Sequence, residues 1–571
     1  MRKTKVVLAK VLTAAMVISS FAGVQGITSE AAAKPKLSKK SVSITVGKTK
    51  KITVKNAKKY KVSWKMKSKK IASFKKSGKY AVKVTAKKAG KTTLTATIKK
   101  GKKTKKLVCK ITVKKNSPKV TKTPVNTPTT SPSNVPKTTE VPTVKPTATA
   151  TAEPQDTTSA MKEIFKGVID NVGTCLTYNQ TWNNRKEMQD VSTMKFVDKN
   201  FNSFTLENEM KPDSMLNKHN MISVADAKAK GYVISDDYKE SEVPELTLET
   251  IDGVLAIAKQ HNIRMRAHTL MWHQQTPTWF FKKNYDDNEA VVDEATMNAR
   301  LEFFVRTIMR HTMQKEKELT GEVGSIVYAW DVLNEYIHRS NAAAATTWVS
   351  VYGDMGLKPT YVKAAFEYAY DELKRENVQD KVTLFYNDYD TYFSVDDELA
   401  LISYINEGEK AKICGGIGMQ SHVDIKRPTL EEYGNALKAF INAGLEVQIT
   451  ELDITINFDT DETDGRTPTY AYKNEKETDA DQAAFTKDFI KQIVDIQKNL
   501  QKNRDKNKSL KGITGITVWG ISDQTSWRGS CKPLFFTRKN VRVKDETTGK
   551  YKTVYTYVPK KSYEAMIEAL K

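Results

Sequence analysis

The chain has 571 residues, long enough for more than one domain, and a formal net charge of +27 that at first suggests a nucleic-acid partner. The distribution of that charge argues against one: 31 lysines and no Arg, Asp or Glu lie between Lys34 and Lys115, while residues 159–571 carry a net −8. The four cysteines are far apart and show no CxxC spacing, which excludes a disulfide scaffold; at most a pair among Cys175, Cys414 and Cys531 is available to bridge.

Residues 1–33 begin with Arg2, Lys3, Lys5 and Lys10, continue as an apolar run from Val11 to about Val24, and end at Ala31-Ala-Ala33. That order predicts a signal peptide cleaved near Lys34, with an apolar run too short for a comfortable membrane span. No later stretch has the length of an apolar span. The mature protein is therefore expected to be secreted and extracellular, with wall association left open.

From Ser41 the apolar residues alternate with polar ones: Val42, Ile44 and Val46; Ile52 and Val54; Val62 and Trp64; Val82 and Val84; Leu94, Ala96 and Ile98; Leu107, Cys109, Ile111 and Val113. Gly-Lys turns at Gly47, Gly78 and Gly90 separate them, so about seven short strands fit a small all-β sandwich over 34–115. In Gly47, Trp64, Ile71-Ala72, Gly78 and Ala89-Gly90 this segment resembles the bacterial Ig-like group 2 domain. Such domains serve as spacers or adhesion modules. The outward lysines read either as a solvated face or as a surface for an anionic partner, a cell-wall polyanion or an acidic polysaccharide. Without Arg for bidentate contacts, and with secretion expected, nucleic acid is set aside. Residues 116–158 hold 13 Thr and 8 Pro and no aromatic residue, a composition that cannot bury a core. They predict a linker, up to about 130 Å long if polyproline-like.

Past Thr158 apolar strands alternate with helical stretches. Strands are predicted at Val172–Leu176, Phe204–Glu207, Ile263–His268, Ile326–Glu335, Val382–Asn387, Gly416–His422, Leu445–Glu451 and Ile516–Gly520, which suggests an α/β fold, a (β/α)8 barrel over 159–571. Surplus length falls in loops at 216–247 and 456–480 and in a hairpin at 537–558.

The strand ends carry the chemistry. They read Thr205-Leu-Glu-Asn-Glu-Met-Lys211, His268-Thr-Leu-Met-Trp-His-Gln-Gln-Thr-Pro-Thr-Trp279, Asn334-Glu335, Asn387-Asp-Tyr389, Gln420-Ser-His422, Thr450-Glu-Leu-Asp453 and Trp519-Gly-Ile-Ser-Asp-Gln-Thr-Ser-Trp-Arg528. Carboxylates, amides, imidazoles and indoles converge without phosphate-binding glycines or metal-ligand spacing, so no cofactor or metal is expected. His268 and His273, at i, i+5 without an HExxH context, do not make a zinc site. Glu335 and Glu451, three strands apart, are able to face each other across the barrel mouth, and paired carboxylates are what glycoside hydrolysis requires.

Through Trp330-Asp-Val-Leu-Asn-Glu335, Thr450-Glu-Leu-Asp453 and His268-Thr-Leu-Met-Trp-His-Gln-Gln-Thr-Pro, residues 160–571 resemble glycoside hydrolase family 10, the retaining endo-1,4-β-xylanases. The resemblance implies Glu335 as acid/base and Glu451 as nucleophile, with xylan or xylo-oligosaccharides as substrate. It implies that Asn334 holds the 2-hydroxyl, that His422, joined to Asp453, orients Glu451, and that Gln420 lies beside Glu335. Lys211, His268 and Trp519 would line the same subsite. Glu207, Asn208, Gln275 and Trp527 would hold the next sugar toward the non-reducing end, with Trp272 nearby, and Asn387 and Tyr389 would face the leaving group. The fifth strand departs from the family pattern at Asp390, where a second Asn is typical, and Cys175 on the loosely matching first strand is assigned only to packing. Trp279 and Trp330 read at least as well as core or wall residues as they do as sugar platforms, and Trp182 and Trp348 read as packing. The alternatives are a broader β-1,4-glycanase and, in another class, a non-catalytic polysaccharide-binding or adhesion protein, against which the intact carboxylate pair argues.

Overall fold

The computed structural model describes residues 35–39, 41–46, 48–57, 60–100, 103–114, 159–180, 185–339, 347–457, 477–503, 508–544 and 551–571. The expected signal peptide, the linker, Trp182 and most of the loop at 456–480 lie outside the described residues. The chain divides into two compact units, Met1–Ala148 and Thr149–Lys571.

The first unit contains two four-stranded sheets. One orders Lys36–Leu37, Thr49–Lys55, Ala81–Ala86 and Ala72–Lys76; the other orders Ser41–Thr45, Lys103–Lys114, Gly90–Lys100 and Lys61–Met66. All neighbours are antiparallel except Ser41–Thr45 against Lys103–Lys114. The period-two pattern explains the packing: along Gly90–Lys100 the residues Thr92, Leu94, Ala96 and Ile98 are buried while their neighbours are not. Ile52, Val82 and Val84 of one sheet share a core with Leu94, Cys109 and Ile111 of the other. Two strands that the alternation did not predict are present, at Lys36–Leu37 and Ala72–Lys76. The first has only two residues, too short for a sequence period to reveal.

In the second unit eight parallel strands close a barrel in the order Asn171–Leu176, Ser203–Leu206, Arg264–Trp272, Val327–Asn334, Thr383–Asp388, Gly416–Met419, Glu446–Thr455 and Gly512–Val518. Closure pairs Ile516 of the last strand with Val172 of the first. Strands buried on both faces read as apolar runs because helices cover the outside and side chains fill the inside. All ten residues of Glu446–Thr455 are buried. Several of the helices start on side-chain caps, among them capping boxes at Thr429/Glu432 and Thr478/Asp481 and an Asp293 cap on Glu294–Thr320.

Four predicted strands are corrected. The third runs on past His268 to Trp272 and the seventh past Glu451 to Thr455. The last begins at Gly512 and ends at Val518, not Gly520, because Gly512-Ile-Thr-Gly lacks the apolar density of a barrel strand and Gly520 turns the chain at φ +132°. The sixth stops at Met419, and His422–Asp424 pairs separately with Asp453–Thr455. The loop at 216–247 folds as a hairpin, Leu216–Ser223 with Glu242–Leu246, around a short helix. A longer ribbon, Phe536–Lys544 with Tyr551–Pro559, follows the last barrel strand. Among the described residues no helix is long and apolar enough to cross a membrane. All four cysteines are buried free thiols.

Candidate active site

The barrel interior beneath the site is polar and closely fitted. Arg266 and Asp331 form a buried pair, Arg266 also donates to Gln448 Oε1 at 2.8 Å, and His268 Nδ1 lies 3.0 Å from Asp331 Oδ2. Gly418 must be glycine here: a Cβ would sit 2.3 Å from Asn387 Oδ1 and 2.8 Å from Arg266 Nη2.

On this base stands a chain of hydrogen bonds linking the two glutamates. Gln420 Nε2 donates to Glu335 Oε1 at 3.0 Å and to Asn334 Oδ1 at 3.3 Å. Asn387 Nδ2 donates to the same Asn334 oxygen at 2.8 Å and to Glu451 Oε1 at 2.9 Å, while its own oxygen accepts from Thr450 Oγ1. Both contacts fix the Asn334 amide through its oxygen, presenting its nitrogen as the donor. Glu335 sits in the left-handed region at φ 57°, a conformation that costs a non-glycine residue about 1–2 kcal/mol. Its N–H donates to the Asn387 carbonyl at 2.9 Å, so strand five holds the turn in place.

The two carboxyl groups differ in proton affinity. Burial, then the charges of Asp388 and Glu451, push Glu335 up to about 7, against hydrogen bonds from Gln420 and Trp272 that favour the anion. Burial alone would raise Glu451 too. It is instead held down at about 2 by its hydrogen bond from His422 and the nearby His268, His422 and Lys211 cations. His422 Nε2 lies 3.2 Å from Glu451 Oε2 and its Nδ1 lies 2.8 Å from Asp453 Oδ2. Although burial opposes its charge, Asp453 and Glu451 raise the imidazole to about 9. The site thus holds a buried Glu335 of raised proton affinity together with an ionised Glu451.

The residues singled out from sequence are mostly brought together. The Trp519 ring meets the edges of His268 and His422, and Trp527, 46% exposed, packs on His422 and donates to Asp453 Oδ2 at 3.0 Å. Lys211 Nζ lies 5.0 Å over the Trp272 ring and 3.4 Å from Asn208 Oδ1. Gln275 is exposed, and its carbonyl accepts from Asp213 N at 2.7 Å, tying its loop to the segment that carries Asn208 and Lys211. Tyr389 packs on the His338 ring at 4.5 Å. Trp330, Trp279 and Trp348 are core residues.

Two residues have contacts the sequence did not indicate. Asn387 is fully buried, and both ends of its amide are engaged, by Asn334 and Glu451 on one side and Thr450 on the other. The Trp272 indole donates to Glu335 Oε2 at 2.8 Å.

Sequence reasoning missed Arg185, whose guanidinium bridges Glu207 and Glu187, and Arg528, which donates to Asp453 Oδ1 at 3.2 Å. Burial raises the Glu207 carboxyl and Arg185 partly offsets it. The role of Asp388 was also missed. Its oxygens accept from the Tyr386 hydroxyl, from Ile337 N at 3.2 Å, His338 Nδ1 at 3.1 Å and Tyr389 N at 2.8 Å. Its signal was a carboxylate inside an otherwise buried strand end. Among the described residues His338, Asp388 and Glu398 have spacing compatible with a metal, but the Asp388 oxygens already accept four hydrogen bonds.

Residues 160–555 match the model of glycosyl hydrolase family 10. The chain belongs to that family. It is a glycoside hydrolase, built on the family's eightfold barrel. It is 40% identical over 356 residues to endo-1,4-β-xylanase A of Butyrivibrio fibrisolvens, covering 62% of this chain and 76% of the relative. With endo-1,4-β-xylanase B of the same organism it shares 32% identity over 60% of this chain and 47% of the relative, so it spans about half of that protein. The structure of the N-terminal endo-1,4-β-D-xylanase 10B modules of Clostridium thermocellum complexed with xylohexaose superposes with a TM-score of 0.50 at 26% identity, covering 72% of this chain and 68% of that one.

Proposed function

We propose that this glycoside hydrolase is a secreted endo-1,4-β-xylanase that cleaves internal bonds of xylan with retention of anomeric configuration. The observation that carries the reading is the pair of glutamates with opposed proton affinities, Glu335 about 7 and Glu451 about 2, joined through Gln420, Asn334 and Asn387. The names of the relatives and the xylohexaose complex of a similar structure support xylan as the substrate.

In the first step the neutral Glu335 carboxyl gives its proton to the glycosidic oxygen. The bond from that oxygen to the anomeric carbon breaks as a Glu451 oxygen bonds to the same carbon from the other face. Asn334 holds the 2-hydroxyl of the sugar under attack. Bonding to Glu451 removes its charge, which lowers the proton affinity of Glu335 and leaves it ionised as the base for the second step. It then takes a proton from water as the water oxygen displaces Glu451, and two inversions give net retention.

The basic unit at 34–115, read as Ig-like, serves in this proposal to hold the enzyme on an anionic wall polymer or acidic polysaccharide, the linker setting its reach; the run of 31 lysines supports that role. Salt-sensitive binding of the full chain to such a polymer, absent with a neutral one, is the expected result.

The deciding experiment measures variants on aryl xylobiosides. Glu451→Ala abolishes turnover. Glu335→Ala keeps the first step for good leaving groups and is rescued by azide, giving a β-glycosyl azide. Near-normal activity of both variants on xylan would overturn the assignment. Products from xylan and carboxymethylcellulose side by side decide between a xylanase and a broader β-1,4-glycanase.

A further inference from the structure

The ribbon of Phe536–Lys544 and Tyr551–Pro559 is surplus to a minimal barrel, and its outer residues Val541–Lys544 and Tyr551 are exposed. Its base is firmly seated. Phe196 packs on Phe536 and Tyr557, Tyr557 Oη lies 2.9 Å from Thr193 Oγ1, and Tyr555 N donates to Ser192 Oγ at 3.0 Å. Arg538 N donates to Gln524 Oε1 at 2.7 Å, in the loop that also carries Trp519 and Trp527. Ser192 and Thr193, which the base contacts, follow Glu187, whose carboxylate binds the Arg185 that holds Glu207. The base is therefore tied both to the segment that supports Glu207 and to the loop that carries Trp527, the residues assigned to the sugar toward the non-reducing end.

The two strands carry a repeated device, half-buried near the base and exposed at the outer end. Antiparallel register pairs Arg538 with Tyr557 and Arg542 with Thr553, which puts these side chains, with Tyr551 and Tyr555, on one face. On that face Arg538 stacks diagonally over Tyr555 with 4.5 Å to the ring centre, and Arg542 repeats the diagonal over Tyr551 at 4.7 Å. The two stacks are four residues apart, about 14 Å along a strand. Tyr551 is 59% exposed, and neither strand carries an acidic residue although residues 159–571 are net acidic. A guanidinium lying flat on a phenol ring keeps its N–H edge outward, the geometry that pairs with a carboxylate, while the ring's free side offers an apolar plane.

We propose that this ribbon extends the substrate cleft beyond Trp527 and binds a length of xylan bearing uronic-acid side groups, the Tyr551 and Tyr555 rings against sugar faces and Arg542 and Arg538 on carboxylates. The proposal rests on the xylanase reading and adds a distal site to it. Hairpin stability alone accounts for one cross-strand stack. It does not account for the same stack repeated along two strands free of acids, on a ribbon tied to the loop that carries Trp527.

The test uses the full chain, wild type and the Arg542→Ala/Tyr551→Ala double variant, whose side chains contribute to no core. kcat/KM is measured on glucuronoxylan, on uncharged arabinoxylan and on an aryl β-xylobioside that reaches only the catalytic subsites. The expected result is a loss of about fivefold on glucuronoxylan, a smaller loss on arabinoxylan and no change on the aryl glycoside. Unchanged kinetics on glucuronoxylan would overturn the proposal, as would equal loss on all three substrates, which marks a ribbon that only supports the fold. Equal loss on both polymers alone would overturn the carboxylate contacts. Wild-type protein inactive on every xylan would overturn instead the reading on which the proposal rests.

Discussion

The Trp272 indole nitrogen donates to Glu335 Oε2 over 2.8 Å, and the Trp272 carbonyl is itself held by Trp348 Nε1 at 3.3 Å. The bond favours the ionised carboxylate, against burial, Asp388 and Glu451, which favour the neutral acid. Trp272→Phe removes the donor while keeping an aromatic ring. The basic limb of the kcat/KM profile is expected to move above its wild-type position near 7, and kcat to fall about tenfold as the proton donor loses its orientation. A pH profile on polymeric xylan checks both; a basic limb moving downward would contradict the role given to the indole.

Asp388→Asn is expected to act in the opposite direction. After burial, the Asp388 charge is the largest influence raising Glu335. Without it Glu335 ionises earlier, and the basic limb moves below 7. The substituted amide also mismatches the Ile337 N–H, His338 and Tyr389 N–H donors, so thermal stability falls by about 1–3 kcal/mol. Opposite shifts from these two variants separate electrostatic control of Glu335 from general damage.

Most of this site was legible in the sequence because the reacting groups sit at strand ends inside three contiguous motifs, where one chain segment fixes residue type and position together. Glu335, Glu451, Asn334, Gln420 and the His422–Asp453 pair needed no knowledge of loop paths. Arg185 and Glu187 were invisible for the opposite reason. They lie in a loop after the first strand, and their meeting with Glu207 depends on how that loop folds back. The burial of Asn387 was not legible because strand position gives the end of the barrel but not depth: Gly418 on the next strand makes room for its amide. The barrel was legible from eight apolar runs, whereas the ends of strands six and eight lie at backbone turns, Ser421 at φ 63° and Gly520 at φ 132°, that a pattern does not reveal.

Glu335 also links activity to stability. Its folded pKa, about 7, lies above an ordinary value of 4.5. Between those values the unfolded chain has released the proton and the native chain keeps it, so stability falls as pH rises through the window. Above pH 7 the penalty reaches about 3 kcal/mol. Glu335→Gln removes the titration. The variant is expected to melt higher than wild type at pH 8 and near wild type at pH 4, by scanning calorimetry. An equal difference at both pH values would show that the gain is not tied to this proton.

The acid limb belongs to Glu451, and it should move when the charge on His422 is lost. Asp453 sustains that charge against burial, and His422 in turn supplies the hydrogen bond that opposes the burial of Glu451. His422→Gln keeps a donor but removes the cation, so the acid limb rises from about 2 toward the ordinary carboxylate range. Asp453→Asn leaves His422 in place but removes its anionic partner, and the same limb rises for the same reason. If the carboxylate acts through the imidazole, the double variant shifts the limb no further than His422→Gln alone. Additive shifts would mean that Asp453 acts on Glu451 by another route, through Trp527 or Arg528, both of which also hydrogen-bond its oxygens.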